Sequence, residues 1–219
     1  GRTLLDLFEE RVASSGDATA LRFREGGQWR TTSWSNWSRE SDTLAAGLVA
    51  SGVRPGDRVA IMSRTRPEWV LADQAILACG AVNVPIYHAN LPRQCGLILR
   101  DAGATVVFVE DPHQLEKLWE VREDLPDIRL VVYFDDVAEL ERADRKGRRM
   151  ITVDDLPDGV TTTPWIIPLR GLRELGGEEI GRDPNVVLRR RRAVRDSDAA
   201  SIVYTAGTTG RPRGVVLTH

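Results

Sequence analysis

Between residues 58 and 134 short β-branched runs alternate with stretches of helical spacing, and this rhythm limits the chain to few folds. The apolar runs are 58–62, 81–86, 105–109 and 129–134. In the first interval Trp69, Ala72, Ile76 and Cys79 recur at helical spacing; the next is opened by Pro92 and closed by Gly103, and a third lies around 115–121. Strands alternating with helices need crossover connections, and crossovers bring strands together in parallel with helices on both faces. The predicted class is α/β, with a largely parallel sheet flanked by helices.

The flanks are simpler. Residues 3–13 predict an amphipathic helix with Leu4, Leu5, Phe8 and Val12 on one face. Residues 20–23 and 29–32, joined through Gly26-Gly27, predict a hairpin. A helix from about Ser35 stops at Gly52, and Pro55-Gly56 turns the chain into the first strand of the alternating region. Thr65, Arg66, Pro67 and Glu68 fit a capping box at the start of the next helix. The stretch 156–198, rich in Pro, Gly and Arg, predicts a long surface excursion with little regular structure beyond a weak helix near 172–175. Its four arginines, Arg189 to Arg192, predict a solvated face or loop. Three parts follow: 1–155 as the α/β part, 156–198 as the irregular excursion, and 199–219 as a strand-loop-strand motif.

Bulk properties exclude several functions. With 42% hydrophobic and 28% charged residues the chain can bury a core, and a net charge of −2 offers no basic field for nucleic acid. No apolar run approaches the roughly 20 residues of a membrane-spanning helix. Cys79 and Cys95 form no CxxC pair, which argues against a disulfide framework and suits a reducing cytoplasm. His88, His113 and His219 show no metal-ligand spacing, so no metal-binding residues are expected in the chain itself.

The chemistry concentrates at the end. Residues 199–204 predict a buried strand and 215–217 a second one, joined by Thr205-Ala206-Gly207-Thr208-Thr209-Gly210-Arg211-Pro212-Arg213-Gly214. Three glycines permit positive φ and close backbone approach to a ligand, and successive amides in such a turn form an anion-binding nest. Three threonine hydroxyls add donors, and Arg211 and Arg213 add charge. Together they suit a polyphosphate. A Walker A loop needs G-x-x-x-x-G-K-[ST] opening a helix, and neither condition is met here.

The sixteen residues from Tyr204 to His219, Y-T-A-G-T-T-G-R-P-R-G-V-V-L-T-H, closely resemble the signature of the adenylate-forming superfamily: acyl-CoA synthetases, firefly luciferase and peptide-synthetase adenylation domains. Arg54-Pro55-Gly56-Asp57-Arg58-Val59-Ala60, Arg66-Pro67-Glu68-Trp69 and Gly80-Ala81-Val82-Asn83-Val84-Pro85-Ile86-Tyr87 are similar to upstream segments of its bacterial long-chain members. Two positions depart from the signature: Ala206 replaces a serine, removing a hydroxyl, and Arg213 replaces a lysine, exchanging a compact ammonium for a planar fork.

The resemblance implies an N-terminal fragment of an AMP-forming long-chain fatty acid–CoA ligase. The parent's co-substrates would be ATP with Mg²⁺, a fatty acid and coenzyme A. Thr205, Ala206, Gly207, Thr208, Thr209, Gly210 and Arg213 would hold the nucleotide phosphates, and His219 would lie beside the acyl pocket. It places the catalytic lysine, the ribose-binding aspartate and the Mg²⁺-placing segment of the family further along the chain, so no catalytic residue is expected in this fragment, which alone would be inactive. A fatty acyl-AMP ligase, and a non-catalytic nucleotide-binding or structural remnant, stay open as alternatives, as do a homo-oligomer and a membrane-peripheral setting.

Overall fold

The structure, a computed structural model, describes residues 1–125, 127–134, 166–205 and 212–219. Its centre is a seven-stranded sheet in the order β7-β6-β5-β3-β4-β8-β9. The strands are β3 (Arg58–Met62), β4 (Val82–Ile86), β5 (Ala104–Val109), β6 (Leu130–Tyr133), β7 (Ile166–Pro168), β8 (Ala199–Thr205) and β9 (Arg213–Thr218). The first six in that spatial order run parallel and β9 alone is antiparallel. From β3 the chain adds β4 on one side, then returns to add β5 and β6 on the other, so the direction of strand addition reverses at the β3–β5 boundary.

Alternation along the strands covers both faces. Val59 and Ile61 of β3, Val106 and Phe108 of β5 and Val132 of β6 pack with α1 (Leu4–Ser15), α2 (Trp34–Ala50), α3 (Pro67–Ala78), α6 (Leu169–Arg182) and α7 (Val186–Ala193). Ala60, Met62, Val107, Val109, Val131 and Tyr133 point the other way, against α4 (Pro92–Ala102) and α5 (Pro112–Glu120). Every second residue therefore enters a different core, as strands buried on both faces require.

Local chemistry sets the helix ends. The Thr3 hydroxyl accepts from the Asp6 amide at 3.1 Å while the Asp6 carboxylate accepts from the Thr3 amide at 2.7 Å, a reciprocal cap on α1. Gly103 closes α4 at φ +61°. β1 (Thr19–Glu25) and β2 (Gln28–Ser33) form the predicted hairpin, a separate two-stranded sheet with Glu25 opposite Gln28. Gly26 and Gly27, at φ +56° and +82°, form its turn.

Four expectations are corrected. The cap of α3 is Arg66, not Thr65, and no side chain caps the helix; the Glu68 carboxylate instead accepts from the Arg66 guanidinium at 2.6 Å. The supposed irregular excursion holds β7, α6 and α7 over most of 166–193; residues 156–165 lie outside the described part. The four arginines fall in α7, and one of them is no solvated side chain: Arg191 is only 10% exposed and bonds to Glu9 of α1 and Asp42 of α2. It ties three helices together. Finally, β8 is half-buried and β9 is exposed throughout, because β9 is the outer edge of the sheet.

Candidate functional site

β8 runs parallel to β4, so its last residue, Thr205, emerges at the same carboxyl edge as the ends of β3, β4 and β5. β9 returns antiparallel, with Thr205 opposite Arg213 and Val203 opposite Val215. The motif is thus a strand-loop-strand hairpin, and an exposed hydroxyl and an exposed guanidinium face each other at its open end. Ala206, Gly207, Thr208, Thr209, Gly210 and Arg211 lie outside the described residues.

One bond anchors this mouth. The Tyr204 hydroxyl donates to the Asp101 carboxylate of α4 at 2.6 Å. Burial, and then the Asp101 charge, push the Tyr204 pKa upward, so the phenol keeps its proton and remains a donor. Beside it, Arg93, Leu97 and Arg100 of α4, with Tyr204 and Pro212, line an open groove of about 740 Å³. Sequence reasoning missed this tie. Tyr204 opens the motif, but no spacing marks Asp101, which lies 103 residues earlier.

A second cleft, of about 550 Å³, opens where strand addition reverses, the usual place for ligands in open α/β sheets. Glu110, directly after β5, is buried, and its carboxylate accepts the Arg64 amide at 2.6 Å and the Arg64 Nε at 2.8 Å. Burial raises the Glu110 pKa, but the bonds and charge from Arg64 outweigh it and hold the carboxyl below its ordinary value. Arg64 lines the cleft with Lys117, whose buried ammonium donates to the His88 carbonyl at 2.6 Å and to Gln114 Oε1 at 3.3 Å. These groups also escaped sequence reasoning, since a carboxylate after a strand is too common a signal.

His219 stands elsewhere. β9 carries it to the amino edge, where its amide donates to the Asp198 carbonyl at 3.0 Å. Its ring lines a third cleft with Arg58, Arg190 and Val216, and burial lowers its pKa. Of the expected nucleotide residues, Thr205 and Arg213 stand at the opposite end of the hairpin from His219, which the resemblance sets beside the acyl pocket. Both cysteines are buried: desolvation pushes the Cys79 thiol up to about 12 and raises that of Cys95. Among the described residues no three His, Cys, Asp or Glu side chains converge to hold a metal. Mg²⁺ therefore finds no ready cage in the described part. No described helix is long and apolar enough to cross a membrane.

A mostly parallel seven-stranded sheet flanked by helices matches the fold of the N-terminal part of adenylate-forming enzymes. The chain belongs to the AMP-binding enzyme family, whose profile matches residues 8–219. It is 32% identical over 193 residues to the long-chain-fatty-acid–CoA ligase FadD15 of Mycobacterium bovis, covering 88% of this chain and 27% of that protein. It is 24% identical over 217 residues to the long-chain-fatty-acid–CoA ligase ACSBG2 of Xenopus laevis, covering 99% and 26%. The chain thus spans about a quarter of the length of these relatives. Among solved structures, the anthranilate CoA ligase AuaEII in complex with anthranoyl-AMP matches with a TM-score of 0.73 at 22% identity, over 100% of this chain and 35% of that one. A fatty acyl-adenylate ligase from L. pneumophila, in complex with acyl adenylate and pyrophosphate, matches with 0.62 at 19%, over 99% and 30%.

Proposed function

We propose that this chain supplies the phosphate-holding wall of an ATP-dependent ligase that turns a long-chain fatty acid into acyl-AMP and then acyl-CoA. The observation that carries the reading is the hairpin, which brings Thr205 and Arg213 together at the carboxyl edge. In the first half-reaction a carboxylate oxygen attacks the α-phosphorus of ATP and pyrophosphate leaves. In the second the thiol of coenzyme A attacks the acyl carbon and AMP leaves. Both depend on positioning and charge stabilisation. Thr205, Ala206, Gly207, Thr208, Thr209 and Gly210 would hold the β- and γ-phosphates through amides and hydroxyls, and Arg213 would offset their charge. Tyr204, directly before Thr205, ties the end of β8 to α4 through Asp101. His219, at the other end of β9, takes no part in holding the nucleotide.

Long-chain acids are the favoured substrates because the relatives at 32% and 24% identity are named long-chain-fatty-acid–CoA ligases. The 219 residues alone are expected to be inactive, since the ribose, metal and acyl contacts and the catalytic lysine implied by the resemblance would come from elsewhere. The test uses the longer protein that contains this region, given ATP, coenzyme A and fatty acids of graded length. Thioester formation greatest with long chains supports the proposal. Acyl-AMP without thioester identifies an acyl-AMP ligase instead, and no acid-dependent release of AMP overturns the reading.

A further inference from the structure

The loop that would hold the nucleotide phosphates stands on a narrow support. β4 and β8 share a single register pair, Asn83 with Ser201, whereas β8 and β9 pair as far as Thr205 and Arg213. Beyond Ser201 the support is therefore a two-stranded ribbon, and such ribbons twist more than strands inside a wide sheet. Placement matters at a reacting site, where an error of about 1 Å can cost on the order of a hundredfold. Tyr204 supplies a second hold. Its ring packs with Ile202 against the core beneath α4 and lies over Gly214, its register partner on β9. A Cβ on Gly214 would come within 3.0 Å of Tyr204 Cζ and 2.8 Å of Ile202 Cγ2, so only glycine lets the ring lie there without a shift. The Tyr204 hydroxyl donates to the Asp101 carboxylate at 2.6 Å. Thr205 follows Tyr204 and Arg213 precedes Gly214, so this one side chain restrains both feet of the loop.

We propose that Asp101 is a positioning residue for the phosphate loop, acting through Tyr204. Its own helix does not account for it. Asp101 is exposed in the last turn of α4, where the helix dipole disfavours a negative charge. The end of α4 is nevertheless well fixed: Arg58 of β3 donates to the Ala102 carbonyl at 2.7 Å and to the Gly103 carbonyl at 2.9 Å. A continuous line thus runs from β3 through the end of α4 and Asp101 to Tyr204, and from its ring to Gly214 beside Arg213. A charged acceptor shortens and strengthens the bond to the phenol, which suits a fixed strut. The inference rests on the proposed role of this loop as a phosphate site, and the experiment separates the two.

The test is calorimetric titration of the longer protein with ATP in the absence of fatty acid, for the parent, Tyr204→Phe, Asp101→Ala, Asp101→Asn and Arg213→Ala. Tyr204→Phe keeps the ring over Gly214 and Asp101→Ala keeps the phenol, yet each breaks the bond, so each should weaken ATP binding about threefold to tenfold. The double variant Tyr204→Phe/Asp101→Ala should bind no more weakly than the weaker single variant, because both changes remove one interaction. Asp101→Asn, which retains an oxygen acceptor, should fall between the parent and Asp101→Ala. Thermal melts of these variants should stay close to the parent's, since the bond lies at the surface, and a merely structural role would instead lower the melts and leave the ATP affinity of the folded protein unchanged. Parental affinity in Tyr204→Phe or Asp101→Ala, losses that add in the double variant, or a loss that follows unfolding each overturns the inference. If Arg213→Ala weakens binding while Tyr204→Phe and Asp101→Ala do not, the phosphate site stands and the positioning role falls. A parent that binds no ATP overturns both.

Discussion

Arg213 is the described side chain with most to do at the proposed phosphate site, since its register position opposite Thr205 puts its charge at the mouth of the loop. In the longer protein Arg213→Ala is expected to weaken ATP binding or adenylation about tenfold to a hundredfold, the effect of losing a charge-assisted contact of about 1.5–3 kcal/mol. Arg213→Lys should retain activity, and unchanged kinetics in the alanine variant would remove Arg213 from the site. Glu110 yields a pH prediction. Its folded pKa is lowered, so its contribution to stability is complete above the unfolded value of about 4.3 and is lost as the pH falls through the folded value. Glu110→Gln should cost about 1–3 kcal/mol at neutral pH, and the deficit should shrink on acidification, as thermal melts at several pH values will show. Cys79, with its thiol pushed up to about 12 and no exposure, should resist a thiol reagent until the protein unfolds. At this scale the motif was legible because sixteen contiguous residues carried it. Asp101, Glu110 and Lys117 were not, because they reach their partners through the fold rather than through spacing.

The elements that sequence reasoning found are those whose own pattern specifies them. β3 to β6 are β-branched runs that pack on both faces, and α3 and α4 are bounded by Pro and Gly; each appears within a residue or so of its predicted limits. Of α6 only a weak helix near 172–175 was predicted, because Gly171, Gly176, Gly177 and Gly181 lower helix propensity. Packing reverses that preference. A Cβ on Gly176 would lie 1.9 Å from the Thr43 carbonyl oxygen, and one on Gly47 would lie 2.2 Å from the Leu172 carbonyl oxygen. The two glycines let α2 and α6 approach closely, a tertiary gain that no local signal reports. Gly176→Ala should therefore destabilise by about 1–3 kcal/mol, because backbone must move to admit the methyl. Gly177→Ala, which meets nothing within 4 Å, should stabilise by up to about 1 kcal/mol. Denaturant titration of the pair separates packing from propensity, and a Gly176→Ala variant as stable as the parent would contradict the close approach.

Across the whole molecule the sheet is finished on one side and open on the other. Two cores bury its faces from β7 to β4, but β9 leaves Val215, Val216 and Leu217 about half exposed. The mostly parallel order was legible from the strand–helix rhythm. The distance between His219 and Arg213 was not, because both belong to one run of sixteen residues whereas the antiparallel β9 starts at the carboxyl edge with Arg213 and leaves His219 at the amino edge. The proposed chemistry needs a carboxylate and an α-phosphate held in line, an alignment that can supply about 7–11 kcal/mol of the barrier. The described part offers one wall for that task. The most direct measurement is fatty-acid-dependent exchange of labelled pyrophosphate into ATP, run on the 219-residue chain beside the longer protein that contains it. The longer protein should exchange and the isolated chain should not. Exchange by the isolated chain, or none by the longer protein with any fatty acid, would contradict the proposal that this region is the phosphate-holding wall of an adenylate-forming ligase.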